Sequence, residues 1–143
     1  MLETESKPRV LIVDDDEANL RAFQRMFRKQ FAIVAAASGE AALRELGAGP
    51  CDVVLVDYSM PGMSGIDLLQ RIEQSFPQVA RFMLTAHADL PEVVATTVSG
   101  LTIAAIMKPW DRSDIERAVA RAVSLASMAS AVAKMKAKAT HDP

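Results

Sequence analysis

Val53-Val54-Leu55-Val56-Asp57-Tyr58-Ser59-Met60-Pro61-Gly62-Met63-Ser64-Gly65 falls into two unlike halves. Its first four residues are apolar and β-favouring without polar alternation, the pattern of a strand covered on both faces in a parallel sheet. The run stops at Asp57, and Pro61, Gly62 and Gly65 then make a turn-rich loop. Open α/β sheets place their chemistry at the C-terminal ends of buried parallel strands. Asp57 is therefore the candidate reactive group.

The flanking sequence repeats this strand–loop–helix pattern. Residues 9–13 (Arg-Val-Leu-Ile-Val) read as a first buried strand, cut off by Asp14-Asp15-Asp16-Glu17. Leu20, Phe23 and Phe27 then share one helical face. Residues 31–34 read as a short second strand. Ser38-Gly39 opens a helix carrying Ala42, Leu43 and Leu46, which Gly47, Gly49 and Pro50 end. After the central stretch, Ser64 and Asp67 form a capping box, with Ile66, Leu69, Ile72 and Phe76 as the apolar face behind it. Residues 82–84 read as a fourth strand stopping at Thr85. Asp89 and Glu92 are the expected cap pair of the next helix, with Val94, Thr97 and Val98 as its weak apolar face. Residues 103–107 read as a fifth strand, terminated by Lys108-Pro109. Ser113 and Glu116 open a last helix through Ile115, Val119 and Ala122. Five strands alternating with five helices predict an α/β fold, a mainly parallel sheet with helices on both faces and right-handed crossovers.

Composition limits the function classes. At 143 residues the chain is expected to form one domain with a substantial core. A net charge of −2 gives no reason to expect direct nucleic-acid binding. A lone cysteine, Cys51, rules out an internal disulfide and reads as a packed, inert thiol. The polar N-terminus lacks the core of a signal peptide. No apolar run approaches the ~18 residues of a membrane span, so the expectation is a cytoplasmic protein without membrane binding. The expected division is a frayed tail over residues 1–8, a domain over 9–125 and a helical extension and tail over 126–143.

The residues that end the strands carry the chemistry. Strand one ends in Asp14 and Asp15, strand three in Asp57, strand four in Thr85 and strand five in Lys108. A parallel sheet presents these ends along one edge. Like charges ~4 Å apart repel by roughly 4 kcal/mol at an effective dielectric of 20. A divalent cation relieves that repulsion, and oxygen-only ligands favour magnesium (or manganese) over zinc. A metal, a carboxylate, an ammonium and a hydroxyl together suit phosphoryl transfer to an aspartate.

Over roughly residues 9–125 the chain resembles the receiver domains of bacterial two-component response regulators. The resemblance rests on Val13-Asp14-Asp15, Val56-Asp57 with Met60-Pro61-Gly62 and Gly65, Leu84-Thr85-Ala86, and Lys108-Pro109. It implies a flavodoxin-like sheet of order 2-1-3-4-5, with Asp57 as phosphoacceptor. It further implies magnesium held by Asp15 and Asp57, by Asp14 through water, and by the backbone carbonyl of Ser59. Thr85 is then the switch hydroxyl, Lys108 the phosphate-pairing amine, and Ala86 a small residue that leaves the phosphate accessible. A cis Lys108-Pro109 bond is also implied. The implied partners are a histidine kinase or phosphotransfer protein, and a downstream protein or fused output domain.

Three features depart from the pattern or extend it. Ala105 stands three residues before the lysine, where receivers commonly carry the inward-turning aromatic of the switch. Ser59 and His87 occupy positions that tune hydrolysis of the acyl phosphate, although His87 also reads as an ordinary exposed loop residue. Asp16 reads as a helix-start residue, and Trp110 either packs on the last helix or faces the output surface. Beyond residue 125, Leu125, Met128, Val132 and Met135 follow 3-4-3 spacing, the stripe of a short coiled coil. It reads as a signalling helix that homodimerises or leads into an output domain, or as an alanine-rich helix fraying into solvent. Three other functions compete: a degenerate receiver acting by binding alone, a phospho-aspartate phosphatase, and a flavin-binding module. The phosphatase would want an acid where Ser59 stands, and the flavin module a hydroxyl-rich loop in place of Asp14 to Glu17.

Overall fold

The computed structural model describes residues 7–141. Five strands, β1 (Arg9–Val13), β2 (Ala32–Ala36), β3 (Val53–Asp57), β4 (Ala80–Thr85) and β5 (Ala104–Met107), alternate with five helices. The helices are α1 (Glu17–Phe27), α2 (Gly39–Ala48), α3 (Gly65–Ser75), α4 (Pro91–Val98) and α5 (Arg112–His141). All strand pairs are parallel and the order is β2-β1-β3-β4-β5. Every residue of β3 is buried, as its unbroken apolar run and central position require.

Side chains alternate between two cores. Val10, Ile12, Val53, Leu55, Phe82 and Leu84 meet α1 and α5 through Phe23, Phe27, Ile115 and Val119. Leu11, Val13, Val54, Val56 and Met83 meet α2, α3 and α4 through Leu46, Leu68, Leu69, Ile72 and Val93. Strands without polar alternation are buried on both faces because each face is roofed by helices. Trp110 packs edge-on to Phe23 at 5.8 Å and beside Phe27 at 6.0 Å. Its ring thus serves the α1 side of the core rather than the output surface.

Several local expectations are corrected. β2 runs Ala32–Ala36 rather than 31–34. Phe31 stays with α1: its N–H bonds the Phe27 carbonyl at 2.9 Å and its ring stacks on Phe27. α4 is not capped by Asp89 and Glu92. Leu90 is its N-cap without a side-chain bond, Pro91 sets the first turn, and the Glu92 carboxylate accepts from the Tyr58 hydroxyl instead. The inward face of α4 is Val93 and Thr96, whereas Val94 and Val98 are exposed. Thr96 tolerates burial because its hydroxyl donates to the Val93 carbonyl and pairs with the Thr102 hydroxyl at 3.0 Å. α5 opens at Arg112, before Ser113; Asp114 accepts the Asp111 N–H at 2.8 Å, while Glu116 accepts from Gln30. Asp114 is therefore the reaching-back acid of the capping box.

The helices α1, α2 and α3 start as expected. Asp16 accepts from the Ala18 and Asn19 N–H groups, Ser38 from Ala41 and Ser64 from Asp67. The Lys108–Pro109 bond is cis. Cys51 donates to the Val53 carbonyl at 3.2 Å, and burial pushes its thiol up to about 11. Of the tail expected over residues 1–8, residues 1–6 lie outside the described residues. The Pro8 carbonyl already accepts the Ala32 N–H at 2.9 Å. At the other end α5 continues unbroken to His141, and residues 142–143 lie outside the described residues. Contrary to the sequence expectation, this helix is long and apolar enough, by length and composition alone, to cross a membrane. Its first turns instead bury Ile115, Ala118, Val119 and Ala122 against the sheet.

Candidate functional site

The site forms where β1, β3, β4 and β5 end. Backbone bonds just past the strands fix those ends relative to one another. Asp14 N–H donates to the Ala36 carbonyl at 3.1 Å, Tyr58 N–H to Leu84 at 2.9 Å and Lys108 N–H to Thr85 at 2.8 Å. A close approach holds the loop after β3. Gly65 begins α3 against the backbone of Asp57 and Tyr58, and a Cβ there would sit 3.1 Å from Tyr58 Cα and nearer still to the Asp57 carbonyl oxygen. Only glycine fits this contact.

Asp14, Asp15 and Asp57 each place one carboxylate oxygen within 4.8 Å of the others. Asp14 and Asp57 are buried and Asp15 is exposed. At that spacing each like-charge pair opposes the fold by roughly 3–4 kcal/mol at an effective dielectric of 20. Two neighbours hold Asp14 in place: the Asp16 N–H at 2.9 Å and Asn19 Nδ2 at 3.2 Å. Lys108 Nζ donates to Asp57 Oδ1 and lies 3.8 Å from Asp14 Oδ2. Burial pushes the Asp57 carboxyl above its ordinary range. The hydrogen bond and charge of Lys108 pull it back, while Asp14 and Asp15 push it further up. One ammonium faces three carboxylates, an excess of negative charge that fits a hard divalent cation. Among the described residues no histidine or cysteine joins the cluster, which leaves a donor set made of oxygen.

Thr85 is buried at the end of β4, and its Oγ1 accepts the His87 N–H at 2.9 Å. That bond leaves the hydroxyl proton free of the loop it holds. Ala86 and His87 are exposed beyond it, and Ser59 is exposed in the loop after β3. Ala105 pairs with Met83 in the β4–β5 register and packs, half-buried, on the α3–α4 side of the sheet. The structure therefore gathers Asp14, Asp15, Asp57 and Lys108, sets Thr85 beside them, and leaves Ala105 in the wall behind.

Four residues contribute to the site in ways the sequence did not foretell. Asn19 orients Asp14, and Gly65 fits the loop to Asp57. Tyr58 and Glu92 bond across from the site loop to the first turn of α4. That bond holds the Glu92 carboxyl below its ordinary range and the Tyr58 hydroxyl above its own. Only Gly65 carried a sequence signal, as a glycine opening a helix directly after a cap.

The profile of the response regulator receiver domain family matches residues 10–120 of this chain. The transcriptional regulatory protein GlrR of Escherichia coli K12 is 32% identical over 111 residues, which is 77% of this chain and 25% of that protein. The chain spans about a fifth to a quarter of the length of such curated relatives. Among solved structures, one titled adenylate cyclase from Rhodopirellula baltica superposes with a TM-score of 0.86 at 28% identity, covering 92% of this chain and 98% of that one. The receiver domain of an HD domain-containing protein from Pseudomonas fluorescens Pf-5 superposes with a TM-score of 0.78, also at 28% identity, covering 85% and 98%.

Proposed function

Because the chain belongs to the response regulator receiver family of two-component signalling, we propose that Asp57 accepts a phosphoryl group from a phosphohistidine. The donor is a histidine kinase or phosphotransfer protein of the cytoplasm. The observation that carries the proposal is the cluster of Asp57, Lys108, Asp14 and Asp15 at the sheet edge.

A carboxylate oxygen of Asp57 attacks phosphorus, the P–N bond breaks, and its electron pair returns to the departing imidazole. Burial raises the ground-state energy of the Asp57 anion, and Lys108 keeps it ionised for attack. Asp15 and Asp57 would hold magnesium directly, Asp14 through water, with the Ser59 carbonyl completing the protein ligands. When bound, the cation neutralises charge on the phosphoryl oxygens and the carboxylates. Lys108 leaves Asp57 for a phosphoryl oxygen, and the Thr85 hydroxyl donates to another.

Readout follows from what Thr85 now holds. Turning its hydroxyl toward the phosphoryl group takes the acceptor from the His87 N–H and loosens the β4–α4 loop. Ala105 has no ring to turn inward, and the Tyr58–Glu92 bond is a polar link from the site loop to α4 that can take its place. Ser59 and His87 line the path of the water that hydrolyses the acyl phosphate. The altered surface serves a downstream protein or an attached output domain, by analogy with the longer regulators to which the chain is similar.

Incubation with acetyl phosphate and magnesium, followed by intact-mass measurement, tests the proposal. We expect one phosphoryl adduct, dependent on magnesium and lost in Asp57→Asn. A wild-type chain without any adduct would mean a receiver that acts by binding alone.

A further inference from the structure

α4 is held at its two ends by different means. Near its C-terminal end, Thr96 and Thr97 pair with the Thr102 hydroxyl at 3.0 and 3.3 Å, just ahead of β5. At its N-terminal end no side chain caps the helix, and the bond that Glu92 accepts from Tyr58 ties the first turn to the loop after β3. Within α4 only Val93 and Thr96 are buried, so little apolar burial resists movement of that first turn.

A relay of hydrogen bonds leads from Thr85 to the same turn. The His87 N–H donates to Thr85 Oγ1 at 2.9 Å, and the Leu90 N–H to the His87 carbonyl at 3.3 Å. The Val93 and Val94 N–H groups then donate to the Leu90 carbonyl at 3.0 and 2.9 Å. Tyr58 closes the circuit: it follows Asp57 in the chain, and its N–H donates at 2.9 Å to the carbonyl of Leu84, the residue before Thr85. The ring of Tyr58 and the side chain of Leu90 pack, half-buried, on the same core. A displacement of Thr85 toward Asp57 is therefore passed along residues 86–90 to the turn that Glu92 holds.

We propose that the Tyr58–Glu92 hydrogen bond is a latch on this circuit, closed in the resting chain and opened when Thr85 turns to a phosphoryl group on Asp57. Tyr58 and Glu92 are thus positioning residues that set how readily Asp57 is occupied, an inference that rests on the phosphorylation proposed above. This bond is the link that yields, because its two side chains meet at the surface, where water takes the place of a lost partner. The other links are backbone bonds of the loop and helix or a buried hydroxyl pair. A bond present in the resting state and absent in the occupied one opposes occupancy by the factor its closure contributes. Deleting the latch should therefore tighten binding at Asp57, the opposite of what a damaged fold would do.

Calorimetric titration of the full chain with beryllofluoride, a phosphoryl mimic, in the presence of magnesium tests it. We expect Tyr58→Phe and Glu92→Ala each to lower the apparent Kd by about three- to tenfold. The double variant should lower it no further, since each substitution removes the same bond. Glu92→Gln separates the bond from the charge, because its amide oxygen still accepts from the hydroxyl; its Kd should lie nearer wild type than that of Glu92→Ala. Tyr58 is the only tyrosine in the chain, so isotopic labelling of tyrosine at Cζ gives one NMR resonance for the latch. The mimic should carry that resonance toward the position it already holds in Glu92→Ala. Four outcomes would each overturn the latch and leave phosphorylation of Asp57 standing: an unchanged or weaker Kd in Tyr58→Phe, single effects that multiply in the double variant, a Glu92→Gln chain as tight as Glu92→Ala, or a Tyr58 resonance that the bound mimic does not move. A wild-type chain that takes neither the mimic nor a phosphoryl group would overturn the phosphorylation reading itself, and the latch with it.

Discussion

The same substitution at two glycines should move stability in opposite directions. Gly65 opens α3 against the Asp57 carbonyl, and a Cβ there meets backbone atoms, among them Tyr58 Cα at 3.1 Å. Backbone at the end of a fully buried strand cannot step aside as a flexible side chain would. Forcing one methyl into such a contact costs about 1–3 kcal/mol. The higher helix propensity of alanine returns at most about 1 kcal/mol. Gly47, near the end of α2, has nothing within 4 Å of the same methyl. There alanine should stabilise by about 0.5 kcal/mol through the unfolded chain. For a domain of this size about 1 kcal/mol moves Tm by roughly 4 °C. Gly65→Ala should then melt up to about 8 °C below wild type, and Gly47→Ala about 2 °C above it. Thermal melts by circular dichroism, repeated as urea titrations to check that m is unchanged, provide the assay. Gly65→Ala should also slow phosphorylation by acetyl phosphate, because the displaced backbone carries Asp57. A Gly65→Ala chain as stable as Gly47→Ala would refute the claim that α3 is fitted to the site loop.

Three further outcomes follow from the site and its surroundings. Magnesium at a hundred times its Kd should stabilise the fold by about 2.7 kcal/mol; EDTA should reverse the shift and Asp15→Asn should abolish most of it in a thermal melt. Trp110→Ala should cost about 2–3 kcal/mol by urea unfolding, because the half-buried ring packs on Phe23 and Phe27. The thiol of Cys51, ordinarily near 9.0 and pushed up to about 11, should react with iodoacetamide at pH 8 roughly a hundredfold more slowly than in the denatured chain. Its raised value means that the folded state keeps a proton the unfolded state releases. Stability should therefore be full below pH 9 and fall by up to about 1.4 kcal/mol per pH unit toward pH 11, a slope absent from Cys51→Ser.

The fold was legible because its strands announce themselves twice, by unbroken apolar runs and by the polar residue that stops each run. Val53 to Val56 followed by Asp57 is the clearest case, and Asp14, Thr85 and Lys108 follow the same rule. Parallel pairing turns those separate stops into one edge, so the gathering of the site was legible as well. What failed was reading that depended on which hydrogen-bond partner a side chain finds in the folded chain. Glu92 looked like a helix-capping acid until Tyr58, 34 residues earlier, was seen to donate to it. Thr96 lay outside the apolar face read from Val94, Thr97 and Val98, because its burial depends on the Thr102 hydroxyl. Asn19 gave no sign of steadying Asp14. Ser113 and Glu116 matched a capping spacing that Asp111 and Asp114 fill two residues earlier. In each case local spacing was sound and a hydrogen bond that spacing does not reveal decided which residue used it.

The central claim is that Asp57, alone among the three clustered aspartates, is the nucleophile. Borohydride reduces an acyl phosphate to the corresponding alcohol, so the modified residue can be located by tandem mass spectrometry after treatment with acetyl phosphate and magnesium. The account predicts reduction at Asp57 only, with Asp14 and Asp15 recovered unchanged. Reduction at Asp14 or Asp15 in the wild-type chain would contradict it.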